Sequence, residues 1–133
     1  MVTAYYVDTS VLGRVLLRHS SKAVAWFEDA AESEDLISSR LSKTELTRLI
    51  RREDMSIAER DEVLDFIALV PIDHAVLTEA EAIVPHLRTL DAIHVATALR
   101  SGVEDLVVVS HDARMLAVAR QLGFTVSDPC AEE

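Results

Sequence analysis

Residues 106–115 read LVVVSHDARM. Leu106 to Val109 are four consecutive apolar residues, three of them valine, with nothing polar alternating among them. A strand with one face in water alternates apolar and polar residues. A short β-branched run that does not alternate is the pattern of a parallel strand covered on both faces, and here it leads into a helix predicted over 112–122. That single reading already implies a layered sheet with helices on either side.

The same strand-then-helix order appears at the other end of the chain. Residues 4–12, AYYVDTSVL, close a strand predicted from Val2 to Val7 and open a helix from Ser10 to Arg18 whose Val11, Leu12, Val15 and Leu16 fall at helical spacing. Ser20 and Ser21 cap a second helix through Ala31, and Leu36 and Ile37 read as a short strand. The stretches SKTE at 42–45 and SIAE at 56–59 both match a capping box; the first opens a basic helix ending near Glu53, the second a helix to about Leu69. Val70 to Ile72 reads as a strand, His74 to His86 as a helix, Leu90 to Arg100 as a helix closed by Gly102, and Phe124 to Val126 as a last strand after Gly123. Helices dominate, strands alternate with them, and no repeat or linker interrupts the pattern. The expected architecture is one domain over residues 1–133, a three-layer α/β/α fold with a central, mainly parallel sheet.

At 133 residues such a domain removes roughly two thirds of its unfolded surface from water and needs no covalent staples. Cys130 is the only cysteine, which excludes an internal disulfide and any cysteine-rich zinc site and fits a reducing compartment. No run approaches the roughly 20 apolar residues of a membrane span, and the first residues lack the basic lead and apolar stretch of a secretory signal, so no membrane partner and a cytoplasmic location are expected. The 23 acids outnumber the 13 Lys and Arg, a net charge of −10 that argues against broad, nonspecific nucleic-acid binding. Arg40, Lys43, Arg48, Arg51 and Arg52 nevertheless crowd into one helix, a locally basic strip that is either a solvated face or a phosphate-binding one.

In open α/β sheets, sites form beyond the carboxyl ends of strands. Asp8 ends the first predicted strand, Asp112 follows Val109 by three residues, Glu45 lies in the first turn of the basic helix, and Asp91 opens the helix from Leu90 to Arg100. Each has a plainer reading. Asp8 and Asp112 are acceptable helix caps, Glu45 the third-position acid of its capping box, and Asp91 an acid favoured by a helix dipole. Asp91 resists that reading most, because Ala92, Ile93, Val95, Ala96 and Leu99 make its helix apolar nearly all round and an acid at its entrance lies close to the core. If the acids converge, each close pair repels by about 4 kcal/mol at roughly 4 Å and an effective dielectric near 20, so a cation belongs among them. With oxygen donors alone, that cation is Mg²⁺ or Mn²⁺.

These residues resemble the PIN-domain ribonucleases, and among them the VapC-type toxins of bacterial toxin–antitoxin pairs. The likeness runs over the whole chain through VDTSVL, the acid of SKTELTRLI, LDAIHVATAL and VVVSHDARM, in family order and spacing. The resemblance implies that Asp8, Glu45, Asp91 and Asp112 form an acidic cluster binding Mg²⁺ and that Ser10 and Ser110 are hydroxyls beside it. Family members often carry threonine at the position of Ser110, which keeps the hydroxyl and drops a methyl. The function implied is a metal-dependent endoribonuclease; Lys43, Arg48, Arg51 and Arg52, concentrated around Glu45 on a chain of net charge −10, are expected to hold RNA phosphates beside the acids. A non-toxin PIN nuclease of RNA processing and a non-catalytic PIN-like binding domain are the alternatives. His94 and His111 are read as structural, since a hard-cation carboxylate site does not need imidazole. A receiver domain and a dehalogenase-type phosphatase share the size and the strand-end aspartates, but both need a lysine late in the chain, and none follows Lys43.

The same resemblance implies a homodimer, a larger toxin–antitoxin assembly, and a small VapB-type antitoxin whose C-terminal segment lies in an apolar groove. In SKAVAWFEDAA (residues 21–31), Ala23, Phe27, Ala30 and Ala31 share the face that should pack on the sheet, which leaves Trp26 at the core edge. Trp26, with Val15, Leu16 and the apolar side of the helix from Ile57 to Ile67, is the expected antitoxin groove.

Overall fold

The computed structural model describes residues 2–131. Strands β1 (Ala4–Val7), β2 (Asp35–Ser39), β3 (Ala68–Val70), β4 (Val107–Val109) and β5 (Thr125–Ser127) form one all-parallel sheet in the order β3-β2-β1-β4-β5. Around it pack helices α1 (Thr9–Leu17), α2 (Ser21–Ser33), α3 (Arg40–Arg52), α4 (Ile57–Leu64), α5 (His74–Ala82), α6 (Thr89–Arg100) and α7 (Ala113–Gln121). The strand order reverses beside β1. Successive strands go outward through β2 and β3, and the chain then returns to add β4 on the other side of β1. That reversal leaves a crevice beyond the carboxyl ends of β1 and β4, where α/β sheets place their sites.

Val108 and Val109 are buried, as expected of a strand covered on both faces. One apolar cluster joins Val7, Val11, Leu12, Val15, Leu36, Leu46 and Ile50 with Phe27 and Val63; a second, on the other face, joins Tyr6, Ala98, Leu106, Val108 and Ala119. Gly13 brings α1 close to α3, since a Cβ there would lie 3.3 Å from Leu49 Cδ2. The two helices that carry Thr9 and Glu45 therefore sit close together.

Several expected boundaries are corrected. The helix holding Glu45 begins at Arg40, with Ser39 accepting from the Leu41 amide as its cap. Ser42 is interior to that helix and buried, its hydroxyl turned to Ser38, so the pattern at 42–45 is no capping box. At Ser56 the same pattern is a capping box, with Glu59 reaching back to the Ser56 amide at 2.9 Å. Helix α4 stops at Leu64 rather than Leu69, because residues 68–70 pair with β2 as Ile37↔Ala68, Ser38↔Leu69 and Ser39↔Val70. That pairing also moves the third strand from the predicted 70–72 to 68–70. Helix α5 ends at Ala82, four residues early, where Ile83 turns extended ahead of Pro85.

Candidate active site

Asp8 leaves β1 and caps α1, but its cap bond is its longest. The Val11 amide reaches Oδ1 at 3.4 Å, whereas Ser10 Oγ donates to Oδ1 and Ser110 Oγ to Oδ2, each at 2.7 Å. The carboxyl is only 3 % exposed. Burial pushes its pKa up, and the two serine hydroxyls and the Val11 amide pull against that rise without cancelling it. Each serine is oriented in turn by a backbone donor: the His111 amide to Ser10 Oγ at 3.0 Å, and the Asp112 amide to Ser110 Oγ at 2.9 Å. Ser110 thus ties Asp8 at the end of β1 to Asp112 after β4.

Glu45 is held by a separate network. Thr9 Oγ1 donates to Glu45 Oε1 at 2.6 Å and His94 Nε2 to the same oxygen at 2.8 Å. The other ring nitrogen of His94 faces the Tyr6 hydroxyl at 2.7 Å. Ser42 joins Thr9, at 3.0 Å, to Ser38, which donates to the Val7 carbonyl at 2.6 Å. Burial pushes the Glu45 carboxyl up, yet the hydrogen bonds from His94 and Thr9 outweigh it and leave the pKa below its ordinary value. Burial, and then the charge of Asp8, raise the Tyr6 phenol well above its ordinary range, so it stays a hydroxyl.

Asp91 stands half-buried in the first turn of α6, followed by the buried run His94 to Ala98. Burial raises its pKa, and the charges of Asp112 and then Glu45 raise it further, only partly offset by His94 and Arg88. Asp112 caps α7 through the Arg114 and Met115 amides at 2.9 and 3.3 Å, so its capping and its place beside Asp91 are compatible. Asp91 therefore lies near enough to Asp112 and Glu45 to feel their charges, while Asp8 and Asp112 are linked through Ser110.

The donor set is carboxylate and hydroxyl oxygen, the chemistry of a hard cation. Among the described residues, no three of these acids bring oxygens within 4.8 Å of one another.

Several side chains of this site carry no local sequence signal. Thr9, Ser38, Ser42 and Tyr6 escaped the sequence reading, and His94, expected as a satisfied core histidine, is buried and satisfied with Glu45 as one of its partners. The DxxH spacing inside LDAIHVATAL was the one available hint, since it sets His94 one turn after Asp91. Of the basic residues, Arg48 and Arg52 fall on the Glu45 side of α3 by helical spacing, while Lys43 lies on the opposite flank and Arg51 on the outer face.

Residues 5–121 match the PIN domain. The chain belongs to the PIN domain family. It is 33% identical to ribonuclease VapC47 of Mycobacterium tuberculosis over 132 residues, covering 95% of this chain and 97% of that protein. Ribonuclease VapC46 of the same species is 32% identical over 131 residues, with 96% and 99% covered. In fold, this PIN domain superposes on a chain of the VapBC2 crystal structure from Rickettsia felis, solved bound to a DNA fragment from their promoter, with a TM-score of 0.72 at 11% identity over 95% of this chain and 98% of that one.

Val15 and Leu16, expected to line a partner groove, do line one. An open groove of about 1000 Å³ is lined by Val15, Leu16, Val24, Phe27, Val63 and Phe66. Trp26 is not among its walls. One residue away from Phe27 is about 100° around the helix, and that turn carries the indole to Tyr5, edge-on at 5.3 Å between ring centres. Five acids, Glu28, Glu32, Glu59, Glu62 and Asp65, stand on the rim against a single base, Arg18. Among the described residues, no helix is long and apolar enough to cross a membrane.

Proposed function

We propose that this PIN domain is the toxin of a VapBC-type pair, a Mg²⁺-dependent endoribonuclease that hydrolyses RNA phosphodiester bonds. The observation that carries the reading is Asp8: a buried carboxylate held at 2.7 Å by two serine hydroxyls, one of them reaching across the switch point of the sheet. A helix cap needs neither serine. Burying a carboxylate costs free energy, and its retention at a crevice shared with Asp91, Asp112 and Glu45 is what a cation site requires. The names of the curated relatives, ribonucleases VapC46 and VapC47, support the same activity.

In this reading Asp8 and Asp91 would hold the ion directly, and Glu45 and Asp112 would reach it through water or orient the attacking water. A bound Mg²⁺ or Mn²⁺ supplies Lewis acidity, making a water nucleophilic at neutral pH and neutralising charge on the phosphate. The chain's own residues do the rest. Ser10 and Ser110 hold Asp8, Thr9 and His94 fix Glu45 as an ionised acceptor, and Arg48 and Arg52 lie where an RNA backbone approaching Glu45 would pass. A VapB-type antitoxin segment would occupy the groove between α1, α2 and α4, its apolar side chains against Phe27 and Phe66 and its basic ones against the acidic rim. Cleavage mapping across total cellular RNA with Mg²⁺, beside the Asp8→Asn variant, tests the activity. Discrete cuts by the wild type that vanish in the variant are expected; equal cleavage by both overturns the proposal.

A further inference from the structure

The loop between β4 and α7 has a second face. While the His111 amide serves Ser10, its imidazole turns away from the carboxylates toward the turn after β5. There it meets Asp128 and Cys130. One ligand atom from each of the three residues lies within 4.8 Å of the others. The two segments are locked together in backbone, with the Ser110 amide donating to the Ser127 carbonyl at 3.1 Å.

The contact between His111 and Asp128 is a long one shared between both carboxylate oxygens. His111 Nδ1 stands 3.4 Å from one Asp128 oxygen and 3.3 Å from the other, with no short bond to either. Charge-assisted N–H···O bonds close to roughly 2.7–2.9 Å. Two ligands of a tetrahedral zinc ion, each bonded at about 2.0–2.1 Å, are by contrast separated by about 3.3–3.4 Å. Asp128 is also held independently of His111, because the Cys130 amide donates to its Oδ1 at 2.8 Å. An outer bond of that kind is what orients a ligating carboxylate. The Cys130 side is buried, whereas His111 and Asp128 are half-exposed, so a fourth position opens to water.

We propose that His111, Asp128 and Cys130 bind one zinc-class ion at a site separate from the carboxylate cluster. A thiolate, an imidazole and one carboxylate select a borderline-soft cation, while the oxygen-only crevice selects Mg²⁺. Cys130 binds as the thiolate and its proton leaves to solvent. Occupancy fastens the turn at 128–131 to the loop that carries Ser110 and Asp112, so a soft metal rigidifies one wall of the active site without entering it.

The test is titration of the intact protein with Zn²⁺ by calorimetry, and with Co²⁺ by absorption, in excess Mg²⁺ throughout. One equivalent should bind, and the Co²⁺ form should show a thiolate-to-cobalt charge-transfer band. Cys130→Ser and His111→Gln, checked for fold by circular dichroism, should each weaken Zn²⁺ binding at least tenfold and remove the band, and Asp8→Asn should change neither. His111→Gln replaces a half-exposed side chain and keeps the test open if Cys130→Ser fails to fold. Absence of the sulfur band, binding lost in Asp8→Asn, or affinity unchanged within twofold in His111→Gln overturns the site and leaves His111 and Asp128 as a simple latch.

Discussion

Ser110 donates to Asp8 at 2.7 Å across 102 positions of sequence, from the end of β4 to the end of β1. The bond crosses the point where the strand order reverses, and its hydroxyl oxygen simultaneously accepts from the Asp112 amide. Two acids that the chain places far apart are thereby set in one frame. Removing the hydroxyl by Ser110→Ala should leave Asp8 short of one of its two short bonds. Bonds to charged groups contribute about 1.5–3 kcal/mol, so kcat/KM for RNA cleavage should fall roughly tenfold or more, whereas Ser110→Thr should restore it. Equal rates for the alanine and threonine variants would remove Ser110 from the positioning of Asp8.

Asp8→Asn should abolish cleavage without weakening the fold. The folded-state pKa of Asp8 is raised, so the native state holds a proton more tightly than the unfolded chain does, and stability falls as pH rises from the unfolded value near 3.8 through the folded one. At neutral pH in EDTA the buried charge is a penalty, and Asn removes it. Melting temperatures in EDTA should be equal to or above those of the wild type. A variant that melts several degrees lower, or that still cleaves, would contradict the assignment.

Glu45 has the opposite sign. Its pKa lies below its ordinary value of 4.5, so the stability it contributes is present above that pH and is lost as pH falls through the folded value. Thr9→Val deletes the 2.6 Å bond and keeps the shape of the side chain. The variant should lose cleavage by roughly 10- to 100-fold, and the acid limb of its pH–rate profile should move up. A drop in rate with an unmoved acid limb would mean that Thr9 acts through packing alone.

The basic helix should divide by face. Neutralising Arg48 and Arg52 together should weaken RNA binding and flatten its dependence on salt by about two charges, since each phosphate contact contributes about 0.9 to the slope on duplexes and 0.7 on single strands. Neutralising Lys43 and Arg51 should do less, because spacing turns them from the Glu45 side. Salt titrations of a non-cleaving Asp8→Asn background would show it; identical slopes for both pairs would mark the whole strip as solvated surface.

The groove makes Phe66, not Trp26, the expected anchor for an antitoxin segment. Phe66 is 56% exposed and stacks edge-on against Phe27 at 6.1 Å, whereas Trp26 packs on Tyr5 outside the groove. Phe66→Ala should cost about 2 kcal/mol of affinity, a loss of roughly thirtyfold. Trp26→Ala should lower the melting temperature and leave affinity within a factor of about two. The reverse result, measured by calorimetry with purified antitoxin, would return Trp26 to the interface.

The chain's local patterns determined a great deal. The valine run at 106–109, the strand-to-helix turns at Asp8 and Asp112, and the apolar ring around Asp91 depend on side-chain period and on capping, which involve residues a few positions apart. They were sufficient for an α/β layered fold and for Asp8, Asp91 and Asp112 at strand and helix ends, whereas Glu45, expected in a first turn, lies in the second turn of α3. Tertiary structure alone decided what those acids touch. Ser42 looked like a cap because the third residue after it is Glu45, yet it is inside α3 and bonded to Ser38, since the helix starts two residues before it, at Arg40. Ile67 to Leu69 read as the end of a helix until pairing with β2 made residues 68–70 a strand. The bonds from Thr9, His94 and Tyr6 that set Glu45 apart from the other acids join β1, α1, α3 and α6. No local pattern specifies them, because which strand ends become neighbours follows from the order β3-β2-β1-β4-β5, a choice settled by burial of the whole sheet rather than by any one segment.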